Sequence, residues 1–189
     1  MAVTPSSMSL PLGTHAPDFE LLDVISNQKK SLHALKSDKA TVIMFICNHC
    51  PFVKHIQSEL VSVANDYQSK GIRFIAINSN DVEHYPEDNP KNMQKLARRL
   101  NYPFPFLYDE TQDVARAYFA ACTPDFYVFD KNLNCVYRGR FDDASPGKST
   151  PVTGKDLRQA LNNVLAGKPV DPQQKPSYGC NIKWRQEDQ

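Results

Sequence analysis

The stretch Thr41-Val42-Ile43-Met44-Phe45-Ile46-Cys47-Asn48-His49-Cys50-Pro51 decides the reading of this chain. Its unbroken apolar run suits a strand covered on both faces, since a half-exposed strand would alternate. Two cysteines follow, three positions apart. A helical pattern then begins, with Val53, Ile56, Leu60, Ala64 and Tyr67 on one face and Gly71 as its stop. Cys47 is thus expected where a buried strand meets a helix start, with its sulfur partly exposed. Unpaired N–H groups at a helix N-terminus favour negative charge, and the thiolate is the nucleophilic form of cysteine. Cys50 is expected one turn into the helix, more buried, and close enough to Cys47 to form a small disulfide ring. An imidazolium at His49, turned toward Cys47, would add a second stabilising charge, each pKa unit being about 1.4 kcal/mol. Stabilising the reduced form makes the disulfide a stronger oxidant.

Working outward, a second strand is expected over 72–77. Asp88-Asn89-Pro90 then opens a helix with Pro90 at its first position and Met93, Leu96, Ala97 and Leu100 inward. A weak strand over 104–108, a short helix over 112–120 and a hairpin of 126–129 with 135–141 follow. The last helix is expected from Thr153, with Asp156 completing a capping box, Leu157, Leu161, Val164 and Leu165 inward, and Gly167 closing it. Upstream, 18–22 and 31–34 read as short strand or turn pieces. Strands alternating with helices imply parallel crossovers, and the late hairpin makes the sheet mixed. The fold class is therefore α/β, a three-layer α/β/α sandwich with a mixed central sheet and an N-terminal extension. Residues 1–12 are expected to be flexible, 13–167 to form the domain, and 168–189 to be a tail packing on it through Tyr178 and Trp184.

Composition narrows the function. The chain has 189 residues, 41% hydrophobic and 23% charged, the balance of a globular domain. With 22 basic against 21 acidic residues and no basic run, no nucleic-acid partner is expected. No apolar stretch approaches the roughly 18 residues of a membrane helix. The N-terminus lacks a charged leader with an apolar core, so a cytoplasmic location is expected, where thiols stay reduced. Five cysteines are an odd count and too sparse for a disulfide scaffold. A structural zinc site needs two further ligands, usually a second close pair, and Cys122, Cys135 and Cys180 are scattered. Haem attachment needs His where Pro51 stands. No metal and no cofactor is expected.

The Cys-Asn-His-Cys-Pro segment after an apolar strand resembles the active site of the thioredoxin superfamily. Gly13-Thr14-His15-Ala16-Pro17-Asp18-Phe19 resembles the opening motif of its peroxiredoxin and thiol-specific antioxidant branch. Thr123-Pro124-Asp125-Phe126 resembles the loop that carries a cis-proline beside the cysteines. The tail Pro176-Ser177-Tyr178-Gly179-Cys180-Asn181-Ile182-Lys183-Trp184 is similar to the end of a bacterial thioredoxin-like family with a Cys-Asn-His-Cys-Pro-Phe-Val site. These matches span residues 13 to 184.

The resemblance implies a thioredoxin-like fold and a thiol–disulfide oxidoreductase acting on a disulfide- or dithiol-containing protein or a small thiol. It implies that Cys47 attacks the substrate and Cys50 resolves the mixed disulfide. Asn48, Thr123 and Pro124 would position substrate, with Thr123 backbone groups pairing an extended substrate strand. Cys122 and Cys180 are possible accessory thiols, or small buried hydrophobes. Peroxiredoxins resemble Thr-x-x-Cys here, whereas this chain has Cys47 at the Thr position, and neither Arg116 nor Arg138 matches their arginine. Dithiol exchange is therefore favoured over peroxidase chemistry, with a non-catalytic redox-switch module as a third reading. Thioredoxin's buried Asp is replaced by Thr41.

Overall fold

The computed structural model describes residues 2–186. The chain opens with β1 (Val3–Pro5), then a hairpin of β2 (Glu20–Asp23) and β3 (Gln28–Ser31), and a single helical turn, α1 (Leu32–Leu35). The apolar run is β4 (Ala40–Phe45), followed by the long α2 (Pro51–Gln68) and β5 (Arg73–Asn78). A 3-10 turn (Pro86–Asp88) leads into α3 (Pro90–Arg99), β6 (Phe106–Tyr108) and α4 (Asp113–Ala117). The two-residue β7 (Cys122–Thr123), the hairpin β8 (Asp125–Asp130) and β9 (Cys135–Gly139), α5 (Lys155–Leu165) and β10 (Tyr178–Asn181) complete it.

The main sheet has seven strands in the order β3-β2-β6-β5-β4-β8-β9. β4, β5 and β6 are parallel neighbours, while β8 runs antiparallel to β4. All six residues of β4 are buried, as a strand with helices on both faces requires. Alternation along it splits the core. Val42 and Met44 pack with α2, α3 and α5, while Ile43 and Phe45 pack with α4 and the leading segment at Leu10, Ala16 and Phe19. Strand order reverses about β4, and the carboxyl end of such a strand is where open α/β sheets form ligand crevices. Cys47 sits there. No helix among the described residues is long and apolar enough to cross a membrane.

Three local expectations change. Residues 1–12, expected to be flexible, include β1, which pairs antiparallel with β10. Residues 31–34 are a helix cap and turn, with the Ser31 hydroxyl accepting from Ala34 N at 3.1 Å. The capping box at Thr153 and Asp156 is absent: Gly154 caps α5 at φ 67°, and Asp156 instead pairs with Arg140 at 2.6 Å. A Cβ at Gly154 would lie 2.7 Å from the Phe141 ring, so close packing excludes a side-chain cap there.

Candidate active site

The local backbone follows from the sequence. Ile46 N donates to Ile77 O, continuing the sheet one residue past β4. Pro51 cannot donate a backbone hydrogen bond and suits a first helical position. The helix therefore begins at Pro51, and Cys50 is its N-cap rather than a residue one turn inside. Cys47 lies three residues earlier, in the bend. Its exposure is 1%, against the expected partly open sulfur, and that of Cys50 is 0%.

What covers them is the chain itself. β10 pairs antiparallel with β7, placing Cys180 opposite Thr123 and Asn181 opposite Cys122. A Cβ at Gly179 would stand 1.8 Å from the Thr123 carbonyl oxygen, so only glycine allows this approach. The backbone edge of Thr123, expected to receive a substrate strand, is thus already filled by the tail. The tail docks by Cys180 and Ile182, exposed 2% and 1%. Tyr178 and Trp184, expected to anchor it, remain exposed.

Thr123 meets both sulfurs. Its hydroxyl lies 3.4 Å from Cys47 Sγ, and its carbonyl oxygen lies 3.4 Å from Cys50 Sγ, where it accepts from Cys50 when that sulfur is protonated. The Thr123–Pro124 peptide is cis. Cys50 Sγ also lies 2.7 Å from Cys180 Sγ, closer than packing alone brings two sulfurs. All five cysteines are buried.

The donors gathered at this centre favour an anion on Cys50. The neighbouring Cys47 thiol lowers its pKa most, burial opposes ionisation, and the Cys180 thiol with the backbone N–H groups of Val53 and Cys180 adds to the lowering, holding Cys50 below the ordinary thiol range. Val53 N–H is one of the unpaired donors of the α2 N-terminus. Cys47 moves the opposite way. Its proton is held by its bond to Cys50, by burial and by the negative charge of Asp88. The helix terminus, expected beside Cys47, lies at Cys50 instead, because α2 begins at Pro51, four residues after Cys47.

His49 faces a carboxylate. Its Nδ1 pairs with Asp88 Oδ2, and its ring stacks on Tyr85 at 5.7 Å with an 11° interplanar angle. Asp88 raises the pKa of His49. Burial would lift the Asp88 carboxyl, but bonds from His49, Asn80 Nδ2 at 2.9 Å and Asn48 N at 2.7 Å outweigh it and hold the carboxyl below its usual range. The positive charge expected to serve Cys47 is thus matched by an anion that works against a Cys47 thiolate. The Asn48 side-chain amide donates to Glu87 O at 2.9 Å.

Cys47, His49 and Asp88 each offer a donor atom within 4.8 Å of the others. Asp88 already accepts from four groups, however, and the paired His49 nitrogen is occupied. Sequence reasoning missed Asp88. Its one signal, Asp88-Asn89-Pro90, marks the α3 start, where Asn89 is the N-cap and accepts from Asn92 N at 2.9 Å.

The remaining thiols separate. Cys122 is fully buried and its thiol is pushed far up by desolvation. Cys135 lies in β9, where burial raises it to about 11. Arg116 lies over the Trp184 ring at 5.0 Å, and Arg138 bonds Gln174 at 3.0 Å.

A solved structure of an uncharacterized conserved protein from Geobacillus kaustophilus is 60% identical, covering 100% of this chain and 99% of that one, with a TM-score of 0.97. The thiol-disulfide oxidoreductase ResA of Geobacillus thermodenitrificans is 26% identical over 162 residues, 82% of this chain and 79% of that protein. A thiol:disulfide interchange protein of the thioredoxin family from Chlorobium tepidum is 20% identical, covering 81% of this chain and 97% of that one, with a TM-score of 0.62. That last likeness shows that the fold is thioredoxin-like. The AhpC/TSA family matches residues 12–138, about two thirds of the sequence and the part that holds the opening motif, the cysteine pair and the cis-proline, and the chain belongs to that family.

Proposed function

We propose that this protein is a thiol–disulfide oxidoreductase that cycles Cys47 and Cys50 between dithiol and disulfide. The observation that carries the reading is the pair itself: Cys50 at the N-cap of α2 and Cys47 just before it, both sulfurs meeting Thr123 beside the cis-proline. In this reading Cys50 attacks and Cys47 resolves, the reverse of the order the resemblance implies. The Cys50 thiolate attacks a substrate disulfide, forming a mixed disulfide and releasing one substrate thiolate. Cys47 loses its proton and attacks the Cys50 sulfur, closing Cys47–Cys50 and releasing the second substrate thiol. Two electrons pass from the protein to the substrate, and the step runs backward with a dithiol.

The substrate is a thiol- or disulfide-containing molecule. A cleft of about 420 Å³ lies beside Phe52, Ile56, Pro124, Phe141 and Tyr178, adjoining the helix start. Because β10 fills the Thr123 edge, an extended protein strand can add there only when β10 moves. A small disulfide has no such requirement.

The test is turnover of a small disulfide by the wild type, Cys47→Ser and Cys50→Ser, with the ultraviolet absorbance of thiolate followed against pH. Cys50→Ser should abolish turnover and remove the low-pH thiolate step. Cys47→Ser should retain the thiolate and form the mixed disulfide at Cys50, but never a 47–50 disulfide. A low-pH step that persists in Cys50→Ser would refute the assignment.

The same anion supports a second reading, a thiol-dependent peroxidase. Cys50 would attack a peroxide oxygen, becoming a sulfenic acid while the peroxide leaves as an alcohol or water. Peroxide consumption much faster than that of a simple thiol, with a trappable Cys50 sulfenate, would favour it.

A further inference from the structure

Cys180 stands 130 positions from Cys50 in sequence, yet its sulfur is 2.7 Å from the Cys50 sulfur. This contact is built rather than incidental. β10 is held on both sides, by β1 and by β7, and Gly179 lets it press against Thr123. The first amides of α2 favour an anion at both sulfurs, Phe52 N–H at Cys180 and Val53 N–H at Cys50. Lys183, buried with its ammonium on Asn181 O at 2.8 Å and Asn181 Oδ1 at 2.9 Å, adds a positive charge that favours a Cys180 anion.

We propose that Cys180 is a third redox thiol of this centre, and that Cys50 is the shared sulfur, exchanging its disulfide bond between Cys47 and Cys180. The proposal rests on the dithiol reading above. Cys180, once deprotonated, attacks the Cys50 sulfur of the Cys47–Cys50 disulfide. The bond between 47 and 50 breaks, a bond between 50 and 180 forms, and Cys47 leaves as a thiolate that takes up the proton Cys180 gave up. One disulfide is present before and after, so no external oxidant or reductant is consumed. In the reduced centre, burial and the Cys50 anion hold the proton on Cys180. When Cys50 is in a disulfide that anion is gone, while Lys183 and Phe52 N–H remain. The exchange bonds the tail strand to the head of α2 and returns a thiol to position 47.

The experiment oxidises the full chain with one equivalent of oxidised glutathione, blocks remaining thiols, and maps disulfides by digestion and mass spectrometry. Cys47 and Cys50 share one tryptic peptide, so a 50–180 linkage appears as a crosslink between peptides, and fragmentation separates it from 47–180. The wild type should yield both the 47–50 and the 50–180 linkage. In Cys47→Ser, Cys180 should displace glutathione from Cys50 and give 50–180. In Cys180→Ser the crosslink should vanish while 47–50 remains. If Cys47→Ser keeps glutathione on Cys50 and the wild type gives 47–50 alone, the exchange is overturned and the dithiol reading stands. A wild type that forms no 47–50 linkage overturns the dithiol reading, and the exchange with it.

Discussion

Asp88 pairs with His49 beside Cys47, so the histidine between the two cysteines spends its charge on a carboxylate and not on a thiolate. Asp88 also gathers the Asn48 and His49 backbone N–H groups and the Asn80 amide. It therefore fixes the bend that carries both cysteines.

Asp88→Asn should lower the pKa of His49, because the partner that raises it is gone, and should make Cys47 easier to ionise. Breaking a buried ion pair from one side costs about 3–5 kcal/mol. The signs in pH follow from the two shifts. His49, raised above 6.5, contributes stability fully below pH 6.5 and loses it as pH rises through its folded value. Asp88, lowered below 3.8, contributes above pH 3.8 and loses it as pH falls through its folded value. Denaturant unfolding against pH should show the wild-type advantage over the variant largest between about 4 and 6.5, with NMR titration of His49 as the direct check.

Gly179→Ala should force β10 away from Thr123, since its methyl would stand 1.8 Å from the carbonyl oxygen. Overpacking of this kind costs about 1–3 kcal/mol. Alkylation of Cys47 and Cys50 by a small reagent should speed up, and the tail should become sensitive to protease. Unchanged alkylation rates in a folded variant would mean that β10 does not guard the sulfurs.

Asp125 follows the cis-proline and is buried, accepting from Tyr127 Oη and its own neighbour Phe126 N, each at 3.1 Å. Burial raises its carboxyl to about 8. The unfolded chain ionises it near 3.8, so the folded state holds the extra proton between those values. Stability should then fall as pH rises from about 4 to 8, by up to about 1.4 kcal/mol per pH unit. Asp125→Asn should flatten that slope, as read from unfolding midpoints across the range.

Much of the fold could be read in the sequence because its signals are local. The six-residue apolar run became β4, and the spacing of Val53, Ile56, Leu60, Ala64 and Tyr67 became the buried face of α2. Pro90 opened α3 as expected, and Thr123–Pro124 is cis. What stayed hidden depends on distance along the chain. Asp88 reaches His49 across 39 residues, and its own neighbourhood reads as an ordinary helix start. Cys180 reaches Cys50 through a two-residue pairing that Gly179 permits and no periodicity announces. The start of α2 is also displaced from the expectation: Cys50, expected one turn inside the helix, is its N-cap, because Pro51 takes the first helical position.

β1 lies on β10, and β10 on β7, so the first and last strands of the chain meet in one small sheet over the cysteines. Displacing β1 therefore loosens the strand that covers the sulfurs without touching the main sheet, while Lys183 and Arg185, tied to Asn80 and Gln112, hold the other side of that cover to the domain.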